Sequence, residues 1–364
     1  MARQRKPDKP VAIDPIDRPK LILAKVEAKR ALGRARLSGA NVFGLIGPLF
    51  GYLMAWLNAT KPMRAFTVYN MRHGPLMAAG CAYNMFFSIA ALLVAGFSIL
   101  GLVVSGNTDL QNAVVNAVAS TTPGLIDTGN GGLATPDQLF SQQRGFSLAL
   151  IISLATLLFT SLGWIAGLRE GIRGIFALPP VFMNFVLLKL RDLGILLVLG
   201  VALVVTTVIA GVATAGLDWI RSTFNLSGPV ATLLAAGVTP LVLLALDMIV
   251  AVVLFKGASM VSMPAKAMWH TALIAGAGST ILRMLSGVLL ANVGKNNPVL
   301  ASYAVVIALF VWFFFLSQVY LIAAGWGTIT TADVKARDHK DVQRRRGSLR
   351  QRARRPRAAR QGAG

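Results

Sequence analysis

The chain has 364 residues, 55% hydrophobic and 14% charged, with a formal net charge of +22 and a mean hydropathy of +0.64. An ordinary soluble domain carries roughly 25% charged residues, so a bilayer must solvate much of this chain. The charge is not spread over a globule, as in a soluble nucleic-acid binder: 14 Lys and Arg lie in residues 1–74 and 12 in 330–364, leaving 10 between.

In chain order, 1–74 reads as a basic cytoplasmic or interfacial segment. Its basic stretch runs too long before any apolar core to be a signal peptide, so the first span is expected to act as its own insertion signal. Within it, 19–36 mixes Leu21, Ile22, Val26 and Leu32 with six basic residues. That suits an amphipathic helix on an anionic inner leaflet, or equally a solvated basic arm. Segment 43–57 is apolar but short for a crossing and carries Pro48 and three glycines; it is expected to be an interfacial or re-entrant helix, with a seventh span as the alternative. A hydrocarbon core of roughly 30 Å needs about 20 apolar residues in a helix. Six stretches meet that need, at about 76–104, 145–168, 193–217, 230–255, 267–293 and 300–328. The expected fold is an all-α integral membrane protein with N-terminal interfacial helices. A six-helix membrane domain fills 75–329, and a disordered basic tail fills 330–364.

Loop charge sets the orientation, because cytoplasmic loops accumulate Lys and Arg. Loop 105–144 contains only Arg144, the next holds Arg169, Arg173, Lys189 and Arg191, and the next has Arg221 alone. Lys256 and Lys266 follow, then Lys295, then the very basic tail. This alternation places both termini in the cytoplasm and makes 105–144 the largest outer segment. Cations near an anionic leaflet are worth about 1 kcal/mol each, so both basic tails are expected to contact anionic inner-leaflet lipid. No aromatic residues interleave the tail to stack on bases, and no specific nucleic acid is expected. A homo-oligomer stays open.

Between the spans, Gly163, Gly167 and Gly171 fall on one side of a helix, and AGAGS occupies 275–279. In lipid, small residues let backbones approach, so these read as packing seams. Pro240 is expected to bend the fourth span. The lone Cys81 reads as a small apolar filler.

Ionisable groups inside a membrane are costly and point to function. Asp247 lies nine residues before Lys256, roughly 14 Å along a helix, and Arg283 lies 17 after Lys266, roughly 26 Å. The sequential helices are antiparallel, so the two are candidate partners. Their estimated depths differ by roughly 12 Å, only part of which Arg reach and helix tilt would close, so spacing alone does not pair them. Tyr83, Asn84 and Ser88 on the first span, and Gln318 and Tyr320 on the sixth, complete a candidate substrate path; interhelical hydrogen bonding is the competing reading. Arg169, Glu170 and Arg173 form a candidate headgroup contact, against simple anchoring of the inner helix end.

The three histidines, His73, His270 and His339, are scattered without zinc-ligand spacing. There is no phosphate-binding GxxxxGK[ST] and no G-x-S-x-G. No catalytic set, cofactor or metal is therefore expected, and the chain is not read as an enzyme.

RHG at 72–74 leads into AAGCAYNMFFSIAALLVA, and SYAVVIALFVWFFFLSQVYLIAAG closes the membrane domain. With the span layout, these segments resemble the YihY/BrkB family, which includes inner-membrane proteins of the YhjD type. Ala82, Tyr83, Phe87 and Ser88 match the first motif, and Tyr303, Trp312 and Gly325 the second. The resemblance covers about 60–335. The chain departs from it at Ile89-Ala90-Ala91, where a Pro is usual. It departs again at Ala323-Ala324-Gly325-Trp326, where Gly-Ala-Glu is usual; if that Glu serves a shared mechanism, Asp247 is its candidate substitute. The family once carried a ribonuclease label, which no residue here supports. The resemblance implies a bacterial inner-membrane envelope protein, and a transporter or flippase of lipid or another amphipathic anionic molecule. A membrane scaffold whose basic tails recruit lipids or partner proteins is the rival reading.

Overall fold

The computed structural model describes residues 13–38, 41–103, 148–202, 229–291 and 298–361, with isolated positions 112, 115, 116, 127, 135 and 205. Residues 1–12, nearly all of the expected outer loop 105–144, most of the second half of the expected span 193–217, and the loops holding Arg221 and Lys295 lie outside them. Every regular element among the described residues is helical. Two windows, Leu241–Ala258 and Val306–Asp338, lie in helices long and apolar enough to cross a membrane by themselves. A pair bent by 81°, Phe43–Ala59 with Lys61–Met71, adds a third if taken as one broken span. The chain forms two compact units, Met1–Val68 with Met263–Met268 and Gly325–Gly364, and Tyr69–Ser262 with Trp269–Ala324.

In the first unit, α1 (Arg18–Leu37) starts at Asp17, whose carboxylate accepts the Lys20 backbone N–H at 3.2 Å. The Lys20 ammonium lies 3.0 Å from the other oxygen. These bonds hold the Asp17 carboxyl below its usual range. Pro19 sits in the first turn, where its missing N–H would be unsatisfied anyway. After a short link at 38–41, α2 (Val42–Ala59) packs against α1. α3 (Lys61–Met71) begins in this unit and carries Arg64, which is 1% exposed.

Arg64 organises the unit. Its Nε donates to the Pro15 carbonyl at 2.7 Å and Nη2 to the Ile16 carbonyl at 3.2 Å. Nη1 and Nη2 together grip both oxygens of the buried Asp333, at 3.1 and 3.2 Å. The planar fork of Arg matches a carboxylate in this two-bonded way, and a Lys does not. Asp333 lies on α9 (Pro298–Gln361), and nearby Gly325 passes so close to α3 that a Cβ there would sit 2.6 Å from the Ala65 carbonyl oxygen. The Asp333 contacts fall within the segment 330–364 that composition marks as a disordered tail. Thr330, Thr331 and Asp333 are buried, and α9 stays helical to Gln361. Physically, Ala, Arg, Gln and Lys, which dominate the segment, favour helix, and Asp333 supplies a tertiary anchor that composition hides.

In the second unit, α4 (Gly74–Val103) packs extensively against α5 (Leu148–Ile175). Their seam follows the glycines. A Cβ on Gly163 would sit 3.3 Å from Asn84 Oδ1, on Gly167 3.6 Å from Cys81 Sγ, and on Gly174 3.3 Å from Met77 Sδ. Cys81 is thus a buried filler in a glycine seam. The RHG segment turns the chain into α4: His73 is left-handed (φ 56°) and Arg72 donates to the Ile175 carbonyl that ends α5. α6 (185–202) is followed by α7 (Pro229–Val252), which is helical through Pro240 and widens into a π-helix, Val253–Ala258. α8 (Ala265–Ala291) then leads towards α9.

Candidate functional site

The site is built where α7, α8 and α9 approach one another within the second unit. The AGAGS segment makes that approach possible. On α8, a Cβ at Gly276 would lie 2.9 Å from Met248 Cγ and 3.2 Å from the Leu244 carbonyl oxygen of α7. Two residues on, a Cβ at Gly278 would lie 2.6 Å from Val319 Cγ1 of α9. Two glycines on one helix therefore admit a neighbour on each side, the close-approach role of small residues in lipid.

Asp247 sits at this junction. Its Oδ1 accepts from Arg283 Nη2 at 3.0 Å and its Oδ2 from Thr280 Oγ1 at 3.1 Å. The Asp247 side chain is 11% exposed and that of Arg283 33%, so the pair is closed on the carboxylate side and open on the guanidinium side. Tyr320 of α9 is buried beside this junction, and its ring centroid is 6.4 Å from that of Phe255. The depth gap estimated from Lys256 and Lys266 does not keep the partners apart. Helical side chains lean back towards the N-terminus, so Arg283 reaches down its own helix to the level of Thr280. Lys256 also lies inside the π-helix rather than at a regular helix end.

The other path candidates are not brought to this junction by any bond. Tyr83 is exposed and stacks on Phe87 at 4.8 Å. Asn84 donates to the Gly80 carbonyl at 3.2 Å, and Ser88 to that of Asn84 at 2.7 Å, so both bond within α4 beside the glycine seam. Gln318 is half-buried on α9.

Arg169, Glu170 and Arg173 are placed at the end of α5. Arg169 is buried and ion-paired with Asp192 of α6, itself 0% exposed. Glu170 is exposed, with Oε1 3.7 Å from Arg169 Nε. Arg173 donates from Nη2 and Nε to the Pro179 carbonyl, at 2.6 and 2.9 Å, and from Nη1 to that of Ser259 at 3.1 Å. Arg191 donates to the Gly257 carbonyl at 2.8 Å. A π-turn ends with carbonyls that lack intrahelical donors, and two arginines supply them here.

Sequence reasoning missed Thr280, Asp192, Arg64 and Asp333. Thr280 was legible as the residue one turn before Arg283, on the same helix face. Asp192 was legible as an acid beside Arg191 in a basic loop. Nothing local marked Arg64 or Asp333, which meet across 269 residues. Among the described residues no three His, Cys, Asp or Glu side chains converge as a metal site would need.

Apolar helices joined by buried ion pairs and glycine seams define the class: a helical membrane protein. The chain belongs to the BrkB family, since the family model described as virulence factor BrkB matches residues 65–347. No curated protein and no solved structure matches it. The matched range contains the whole Asp247 junction and begins within α3, after α1 and α2.

Proposed function

We propose that this protein is a multi-pass bacterial inner-membrane carrier, with both termini cytoplasmic, that moves or flips a lipid or other amphipathic anionic envelope molecule. The observation that carries this is the Asp247–Thr280–Arg283 junction, three polar side chains held among apolar helices. Ionisable groups are expensive in hydrocarbon and mark pathways when they persist there. Arg283, the more exposed partner, is the group that meets an anionic headgroup; Asp247 holds it in place and takes over its charge when the cargo leaves. Tyr320 adds a hydroxyl to the same junction. The reading is of a carrier without catalysis, running on a gradient or passively, since no ATP-binding motif is visible in the sequence.

The test is reconstitution in liposomes, following a fluorescent anionic lipid between leaflets. Wild-type protein should move it, and Asp247→Asn should abolish movement with the protein still folded and inserted. Movement unchanged by Asp247→Asn or Arg283→Gln would remove the junction from the path.

The exposed Lys335 and Arg337, with the basic run after them, favour a second reading, a scaffold recruiting anionic lipids or partners. Deleting 339–364 separates the two: a carrier keeps most of its transport, a scaffold loses its function.

A further inference from the structure

α1 and α2 form a helical hairpin of opposed chemistries. No charged residue occurs from Val42 to Ala59, yet Phe43, Ile46, Leu49, Phe50, Leu53 and Trp56 are exposed. At 100° per residue these six share an arc of about 140°. α1 carries seven Lys and Arg against one Glu. Lys25, Lys29 and Arg36 line up along one edge of it, and the exposed Ile22, Val26 and Leu37 occupy roughly the next 100° of its surface.

The pairing decides how the hairpin meets a membrane. At 18 residues, α2 is about 27 Å long, almost enough to cross. A crossing α2 would take its packed neighbour with it, and α1 would carry seven cations into hydrocarbon, which is strongly opposed. Lying flat satisfies both helices, because Lys and Arg stems run along apolar surface while their heads reach phosphates. The 81° bend at residue 60 turns α2 away from the axis of α3.

We infer that the α1–α2 hairpin is an in-plane docking surface for an anionic phospholipid leaflet. The α2 arc sinks among the acyl chains, and the α1 cations meet the headgroup phosphates. The inference rests on the membrane reading above but not on transport.

Depth measurement tests it on the full chain in phosphatidylcholine vesicles with or without phosphatidylglycerol. Nitroxides are placed singly at Phe43→Cys, Phe50→Cys and Trp56→Cys in a Cys81→Ser background, with Ser38→Cys in the link as a folded, water-exposed control. With phosphatidylglycerol, all three α2 labels should sit at one shallow depth, reached by oxygen and shielded from a nickel chelate, while Ser38→Cys stays open to the chelate. Without it, or with Lys25→Glu, Lys29→Glu and Arg36→Glu, they should shift outward. Depth rising steadily from residue 43 to 56 through the midplane overturns the in-plane geometry. Chelate access equal to that of Ser38→Cys overturns lipid docking, and unchanged depth without phosphatidylglycerol overturns the anionic partner. Spin broadening that disappears on dilution with unlabelled protein would show a second copy on the arc, and overturn it too. Since the readout is depth, its failure leaves the carrier reading standing, and failed lipid movement leaves the hairpin standing.

Discussion

At the scale of single residues, burial distinguishes the Arg64–Asp333 pair from the Asp247–Arg283 pair. Arg64 is almost wholly buried, with Asp333 and the carbonyls of Pro15 and Ile16 depending on it. Removing one partner of a fully buried pair costs about 3–5 kcal/mol, and without Arg64 the Asp333 carboxylate would keep, among the described residues, only the more exposed Arg18, 3.9 Å away. Arg64→Met should therefore destabilise the purified protein by an amount of that order, read as a lowered thermal midpoint, and expose the chain near residues 13–18 to protease. Arg64→Lys should recover only part of it, since an ammonium cannot hold both carboxylate oxygens in one plane. The Asp247–Arg283 pair is less enclosed, with side chains 11% and 33% exposed, but among membrane helices a lone Arg283 would still be costly. Asp247→Asn keeps the size of the side chain and an oxygen that can accept from Arg283 and Thr280, so folding and insertion are read beside transport for that variant.

At the scale of elements, glycines govern how closely the helices approach, and they are not interchangeable. Gly278 faces Val319 with no room for a methyl group. Gly278→Ala should destabilise by about 1–3 kcal/mol, as overpacking does, and Val319→Ala in the same chain should restore much of it. Gly80, on the exposed side of α4, has nothing within 4 Å of an added Cβ; Gly80→Ala should gain up to about 1 kcal/mol from helix propensity alone. Thermal unfolding in one detergent compares all three. Both glycines sit in helical apolar runs of similar composition. Sequence marks such runs as seams, but which glycine faces a neighbour depends on helix rotation, which spacing on one helix does not fix.

At the scale of the whole molecule, ending the chain after residue 338 removes most of the basic tail and keeps Asp333. That variant should melt as the full chain does, whereas a chain ending at 329 should lose the Arg64 anchor and melt earlier. The helical class and the apolar runs were legible in the sequence, and so were Asp247 and Arg283 as candidate partners, because a 20-residue apolar run and a charge inside it have few alternative explanations. The boundary of the tail was not: its composition is that of a solvated basic arm, and the single acid that anchors it meets a partner 269 residues away. Depth estimates from flanking lysines also fell short of the 3.0 Å Asp247–Arg283 contact. They counted backbone rise and ignored the direction in which helical side chains lean.

The arginines clasped at the ends of α5, α6 and the π-helix also have a history within each molecule's synthesis. In the proposed orientation, Arg169, Arg173 and Arg191 must be charged and hydrated while the helices enter the bilayer, since that charge holds their loop on one side. Once the helices meet, the same guanidinium groups give up water for Asp192 and for the carbonyls of Gly257, Ser259 and Pro179. Insertion and folding thus draw in succession on one set of side chains. A lysine would serve the first stage but bring only a compact point charge to the second, and a glutamine would bring hydrogen bonds without the charge.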